Sequence, residues 1–438
     1  MTALQTLSLV VFVGVLVVSV WRRINVGLVA FPAAFLVAAI GGISAKTILT
    51  AFPGELSVLI IGITLLFAHA QRSGAISWLT DAALRPVGSR RWMVPWVGFI
   101  LAAVLGTIGG LPAAVVAIVI PIVSGLAKSY RINYFMMAVM ANWAAIAAGM
   151  SPLSPAGALF HTLADRAHLY YSPWGLYGIV MGVHAVAALI VFFAFGGARL
   201  GGGDEGAKVK TVRSREGAQS SREERAAGVG AARRDAFGDK TSAYQRASLL
   251  ALAVLVVTVV VFHFDVGLTA LSLALLLQIG FRPPEREMLS HVAWSVVLLL
   301  AGLLIYLNVL AKLGTLQSIQ HALLGIGSPV VAVLVLAYVT ALFSNLDSST
   351  IVVLGVMAPI GLSITNGSPA EVLAVLVTVA TATAIISMSP VHIDGSLIIA
   401  NTPNNDEPEL FRRLIYLAVI VTIVVPGVMA IYPIAVGA

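Results

Sequence analysis

Two acidic side chains, Asp347 and Asp394, lie inside otherwise apolar stretches, whereas the rest of the 19 acidic residues fall in polar segments. A carboxyl group at membrane depth binds a cation, carries a proton or caps its own turn, and the first two are functions. Each lies in a polar interruption, Asp347 in SNLDSST (344–350) and Asp394 in SMSPVHIDG (387–395). Two more interruptions, TIGGLPAA (107–114) and GMSPLSPAG (149–157), lack an acid. Two of the four share a spacing, Ser-Pro with a glycine five residues after the proline. Proline removes a donor and crowds the preceding turn, and glycine tolerates dihedrals that other residues avoid, so a helix stops there and restarts. A restarted helix offers free N–H groups and a positive dipole end, which suits a carboxylate. The anion-binding candidates are therefore Gly110, Pro112, Ser151, Ser154, Gly157, Ser348, Ser349, Thr350, Ser389, His392 and Gly395. Ser344, Asn345, Asp347 and Asp394 are the candidates for a coupling ion, Na+ or H+. His392 stands where the first break has Ser154 and is a candidate proton-linked donor. No Lys or Arg occupies an interruption, which argues against an arginine-clamped phosphate. His69 and His184 read as interior histidines, and Asn142 as a weaker candidate of the same kind.

The elements that hold these interruptions are apolar runs, and a membrane span needs roughly 20 such residues. Spans are expected near 6–21, 26–43 and 57–71, with shorter limbs at 92–108 and 113–127, an interrupted span at 133–163 and a long one at 173–198. A polar segment, 199–245, has the composition of a solvated linker. The pattern then recurs, with spans at 247–262, 266–280 and 294–311, limbs at 329–343 and 351–365, an interrupted span at 371–401 and a last span at 414–435. VGLVA at 26 and VGLTA at 266 are 240 residues apart, and MSPLSPAGAL at 150 and MSPVHIDGSL at 388 are 238 apart. The chain thus reads as a duplicated unit, 1–198 and 246–438, with 199–245 between. If each limb pair is a re-entrant hairpin, each unit crosses the membrane five times and the second is inverted relative to the first. Inverted repeats with broken helices are transporter architecture. The expected fold is an all-α polytopic membrane protein of two inverted repeats, each with a re-entrant hairpin and a discontinuous helix.

Composition supports that class. The chain is 59% hydrophobic and 10% charged, which excludes a cytosolic enzyme or a nucleic-acid-binding domain despite a net charge of +7. The surplus charge is concentrated in the linker and in short loops. With the linker cytoplasmic and both termini outside, every Lys and Arg except Lys46, Arg166 and Lys312 faces the cytoplasm, as the positive-inside rule requires. The first stretch lacks a basic leader and cleavage site and reads as a retained span of an inner-membrane protein. There are no cysteines, no nucleotide-binding or metal-ligand motifs, and no cofactor is expected.

The segments NVGLVAFPAAFLVAAI, GLPAAVVAIVIPI, KSYRINYFMMAVM and GMSPLSPAGAL resemble the N-terminal region of MatC-type dicarboxylate (malonate) carriers. The second half is similar through SSTIVVLGVMAPIGL, GSLIIAN and LFRRLIYLAVI. The resemblance extends to the divalent anion/sodium symporter group. It implies a transport domain moving against a scaffold, often in a homodimer, and a dicarboxylate held at hairpin tips and helix breaks with cation coupling. The chain departs from the implied pattern at the second break, where His392 replaces a serine and Asp394 is added, and at the tip that carries Asp347. Carboxylates beside an anion site repel substrate unless a cation or proton neutralises them. The expected function is cation-coupled transport of a small organic anion, most simply a dicarboxylate such as malonate or a C4 acid. Its alternatives are a cation/proton antiporter of the same superfamily and, from another class, an intramembrane enzyme or sensor, for which the sequence supplies no nucleophile, metal site or appended domain.

Overall fold

The computed structural model describes residues 1–22, 24–84, 90–201, 238–324, 329–346, 349–403 and 406–431. Asp347 and Ser348, and residues 202–237 of the expected 199–245 linker, lie outside the described residues, and a helix already begins at Gly238, inside that expected linker. Among those described there are twenty α-helices and no strand. Seven helical segments are long and apolar enough to cross a membrane, so the protein is polytopic and all-α.

The first ten helices are α1 (Ala3–Arg22), α2 (Val26–Ile40), α3 (Ala45–Leu49), α4 (Gly54–Arg72), α5 (Ala75–Leu84), α6 (Val94–Thr107), α7 (Pro112–Tyr130), α8 (Tyr134–Ala148), α9 (Pro155–Arg166) and α10 (Pro173–Ala194). The next five are α11 (Gly238–Phe262), α12 (Val266–Phe281), α13 (Glu285–Ser290), α14 (Trp294–Lys312) and α15 (Thr315–Leu324). The last five are α16 (Pro329–Leu346), α17 (Thr350–Ser363), α18 (Pro369–Ala384), α19 (Ile393–Ala400) and α20 (Glu407–Met429). Each helix n in the first set has a partner n+10 in the second. Both ends of α4 and α14 differ by 240 residues, as do both ends of α5 and α15, while the starts of α7 and α17 and of α9 and α19 differ by 238.

Local chemistry sets these boundaries. Asn25 caps α2 by accepting the Gly27 N–H at 2.9 Å, and Asp265, 240 residues later, caps α12 by accepting the Leu268 N–H at 2.7 Å. Pro112, Pro155, Pro173 and Pro369 stand in the first turn of α7, α9, α10 and α18, where a missing N–H costs nothing. Arg72 at the end of α4 pairs with Glu287 of α13.

The two sets interlock by exchanged contacts. α2 packs on α14, and α12 packs on α4. A Cβ at Gly27 would lie 1.9 Å from the Leu298 carbonyl oxygen, and one at Gly302 would lie 2.2 Å from the Gly27 oxygen. In the reciprocal crossing a Cβ at Gly62 would lie 2.5 Å from the Gly267 oxygen. Close helix approach through small residues is how apolar helices associate without a hydrophobic driving force. Likewise α7 packs on α19 and α17 on α9. The α8 helix runs through the centre with every residue from Tyr134 to Ala148 buried.

Candidate functional site

The two breaks share one geometry. After α8 the Ser151 N–H donates to the Ala148 oxygen at 3.0 Å, the Ser154 N–H to the Ser151 oxygen at 2.9 Å, and the Ala158 N–H to the Ser154 oxygen at 2.9 Å. After α18 the corresponding bonds run from Ser389 to Ile386 at 2.8 Å, from His392 to Ser389 at 2.9 Å and from Ser396 to His392 at 3.0 Å. Gly157 and Gly395 press against the carbonyls of Ser151 and Ser389, which a Cβ would approach to 2.1 Å and 1.9 Å. Any larger residue would push α9 or α19 off the turn that precedes it.

The breaks differ in what surrounds them. A cleft of about 850 Å³ is lined by the first turns of five helices: Asn25 and Val26 of α2, Pro112 to Ala114 of α7, Ser295 and Val296 of α14, Thr350 to Val352 of α17, and Ile393, Asp394 and Ser396 of α19. Ser19, Ser349, Val391 and His392 complete its polar and flanking wall. The first N–H groups of a helix have no intrahelical acceptor, so those not already capped, as Gly27 is by Asn25 and Asp394 by His392, add donors and partial positive charge at the cleft wall. Its only ionisable lining residues, among those described, are His392 and Asp394. His392 Nδ1 lies 3.3 Å from Asp394 Oδ2 and 3.3 Å from the Asp394 backbone nitrogen. Their other polar atoms, His392 Nε2 and Asp394 Oδ1, are buried without a partner.

The structure thus brings Pro112, Ser349, Thr350, His392 and Asp394 to one cleft; Asp347 and Ser348 are outside the described residues, and the other described candidates lie elsewhere. Ser151 Oγ donates to the Thr107 oxygen at 2.9 Å and accepts the Leu153 N–H at 3.2 Å, tying the first break to the end of α6. Ser154 is fully buried, and its Oγ has no partner. Ser344 Oγ donates to the Thr383 oxygen at 3.2 Å, and Asn345 Nδ2 is shared between the Ala341 oxygen and Thr422 Oγ1, each at 3.0 Å. Gly110 closes α6 by donating to the Leu105 oxygen at 3.0 Å, while Gly157, Ser389 and Gly395 shape the breaks from behind. Asn142 Nδ2 reaches Ser387 Oγ at 2.9 Å and Trp143 Nε1 reaches the Ile385 oxygen at 2.9 Å, so α8 braces the second break. His69 Nδ1 pairs with the Tyr244 hydroxyl at 2.6 Å and His184 Nδ1 with the Val180 oxygen at 2.8 Å.

Sequence reasoning missed Asn25 and Ser295. Asn25 Nδ2 donates to the Ser295 oxygen at 2.7 Å, joining the starts of α2 and α14 at the cleft wall. The signal was available, since Asn25 and Asp265 are polar residues at the same offset before the VGLVA and VGLTA pentads. A second cavity, of about 360 Å³, lies between Lys128, Arg131, Asp406, Glu409 and Arg413. Its charges are mixed, and Glu409 is already held by Arg412 and Arg413.

With the cleft and α8 described, the first third of the chain can be compared with known families. Residues 1–149 match the family model of the dicarboxylate carrier protein MatC N-terminus. The MatC match ends at Gly149, so it takes in α1 to α8 and stops before α9. No curated protein matches the chain.

Proposed function

We propose that the protein is a secondary active transporter that moves a small dicarboxylate across the membrane by cation-coupled alternating access. Its two units, 1–198 and 246–438, are inverted repeats joined by a cytoplasmic linker, with both termini outside. The observation that carries this reading is the convergence of five helix starts on one cleft that has no lysine or arginine in its described lining. A dianion is held there by N–H groups and hydroxyls from the two hairpin tips, α7 and α17, and from the second break. The MatC match supports the substrate class.

The cleft is one half of an access cycle. Val391 is 64% exposed and Ile393 48% exposed, whereas Leu153, 238 residues before Val391, has no exposure. Where α9 packs directly on α4, the cleft runs between α19 and α14. In the proposed orientation α2 and α14 start at the cytoplasmic face, so the open side is inward. The chain has no cysteine, and single-cysteine variants therefore report without background. Val391→Cys is expected to react from the cytoplasmic side with a charged, membrane-impermeant thiol reagent, and succinate should slow the reaction. Leu153→Cys should react at least about tenfold more slowly in the same membranes. Equal rates at the two positions would remove the inward-open assignment.

The deciding experiment is uptake into proteoliposomes of malonate, succinate and monocarboxylates, with sodium and pH gradients imposed separately. Gradient-dependent accumulation of a dicarboxylate is expected. The buried, half-unpartnered Asp394 also fits an ion-only antiporter. A sodium- or pH-driven proton signal with no organic anion accumulated would select that reading instead.

A further inference from the structure

The His392–Asp394 pair has one feature that a simple helix cap does not require. His392 Nδ1 faces the Asp394 carboxylate oxygen and the Asp394 backbone N–H at the same 3.3 Å distance. One nitrogen cannot donate to the first and accept from the second at once. A proton held between Nδ1 and the carboxylate would satisfy this close approach, and the pair carries net charge −1 with one proton or zero with two. His392 is 5% exposed and Asp394 1%, and the atom that would take the second proton, His392 Nε2, has no partner among the described residues.

The geometry points to a proton as the coupling ion, taken up by this pair together with the substrate. The inference rests on the reading of the cleft as a dicarboxylate site. A dianion beside a buried group of charge −1 is repelled in a low-dielectric setting, and protonating Nε2 removes that charge. The new Nε2–H is then a donor for the substrate carboxylate. By linkage, a substrate that raises the proton affinity of the pair is itself bound more tightly by the protonated pair. A sodium ion fits the same atoms less well, because hard cations take several oxygen ligands and one carboxylate oxygen here is engaged by an imidazole.

Among the described residues no other ionisable side chain lines the cleft. Of the elements packed on α19, α7 carries Lys128 at its far end, the turn Ile385–Met388 carries none, and α20 carries Glu407, Glu409, Arg412 and Arg413 in its first two turns. The Tyr134 hydroxyl of α8 bonds the Ile398 oxygen, away from the first turn of α19. Around the cleft, α1 supplies Arg22 and α14 supplies Lys312 at the opposite end from Ser295, while α2 and α17 have no charged residue.

The test is calorimetry of succinate binding to the purified full-length protein in buffers of different ionisation heat, above about pH 7, where both substrate carboxyls are ionised. The expected result is uptake of about one proton per succinate and a Kd that rises about tenfold per pH unit once the free pair has lost its second proton, without sodium. Asp394→Asn should abolish both the proton uptake and the pH dependence, and Asp394→Glu should restore them, which separates coupling from misfolding. Succinate binding with no proton uptake by the wild-type protein, or binding only with sodium, would overturn the inference and leave the transport reading intact. Failure to bind or accumulate any dicarboxylate would overturn both.

Discussion

Gly27→Ala and Gly302→Ala are each expected to lower the stability of the purified protein by at least about 2 kcal/mol, read as a fall of several degrees in the apparent unfolding midpoint. The new methyl at Gly27 would meet the Leu298 carbonyl oxygen at 1.9 Å, and that at Gly302 the Gly27 oxygen at 2.2 Å. Both obstacles are backbone, so no side chain can rotate away and the α2 and α14 axes must separate. Separation loses dispersion contacts along the whole crossing and pulls Asn25 from the Ser295 carbonyl, which it reaches at 2.7 Å. Gly182→Ala is the control. It has open space around its Cβ, and alanine there should leave the midpoint unchanged or raise it. Because Gly27 and Gly302 share one contact, the double variant should cost less than the sum of the singles. Gly27→Ala with Gly62→Ala, at separate crossings, should be additive. A midpoint for Gly27→Ala equal to that of Gly182→Ala would show that the crossing is not load-sensitive and that α2 and α14 slide freely.

This crossing also shows how far the sequence could be read. Span positions, both limb pairs and both breaks are legible because they depend on strong local signals: Gly, Pro and Ser against apolar runs, and a residue offset that needs no structure to measure. The described breaks and turns fall where that punctuation puts them, with α7 starting at Pro112 and α9 at Pro155, while Asp347 and Ser348 of the turn before α17 lie outside the described residues. What Gly27 touches is not legible. A glycine in an apolar helix has the same local appearance whether it faces open space, as Gly182 does, or a backbone carbonyl.

The candidate site divides along the same line. Ser151 and Ser389 are equivalent by offset, yet of the two breaks only the second lines the cleft. A duplicated sequence encodes both breaks equally and cannot record that choice. Hydroxyls were also ambiguous. Ser151 serves the turn by bonding Thr107 and Leu153, while Thr350 lines the cleft, and nothing in residue type separates the two roles. The His392–Asp394 pair was legible for a different reason: charge inside an apolar stretch is costly, so its presence is informative wherever the helix turns out to pack.

Gly395→Ala is expected to have the larger effect on function. The Ser389 carbonyl both accepts the His392 N–H at 2.9 Å and sits where the Gly395 Cβ would go, 1.9 Å away. Relief of the clash must move that carbonyl or α19, and either shift displaces His392 and Asp394 relative to the first turns of α7 and α17. Displacing a set of aligned donors by about 1 Å costs on the order of a hundredfold in processes that depend on their geometry. Succinate affinity should therefore fall by at least about tenfold, with transport falling further, because the variant must also regain the geometry on the other side of the cycle. Gly157→Ala provides the comparison, since its Cβ would meet the Ser151 carbonyl at 2.1 Å in a turn that does not line the cleft. It should lower the unfolding midpoint by a similar amount while leaving the proton uptake that accompanies succinate binding in place. If both variants lost binding and its proton linkage equally, the first break would share the site with the second, and the cleft would be only part of the binding surface.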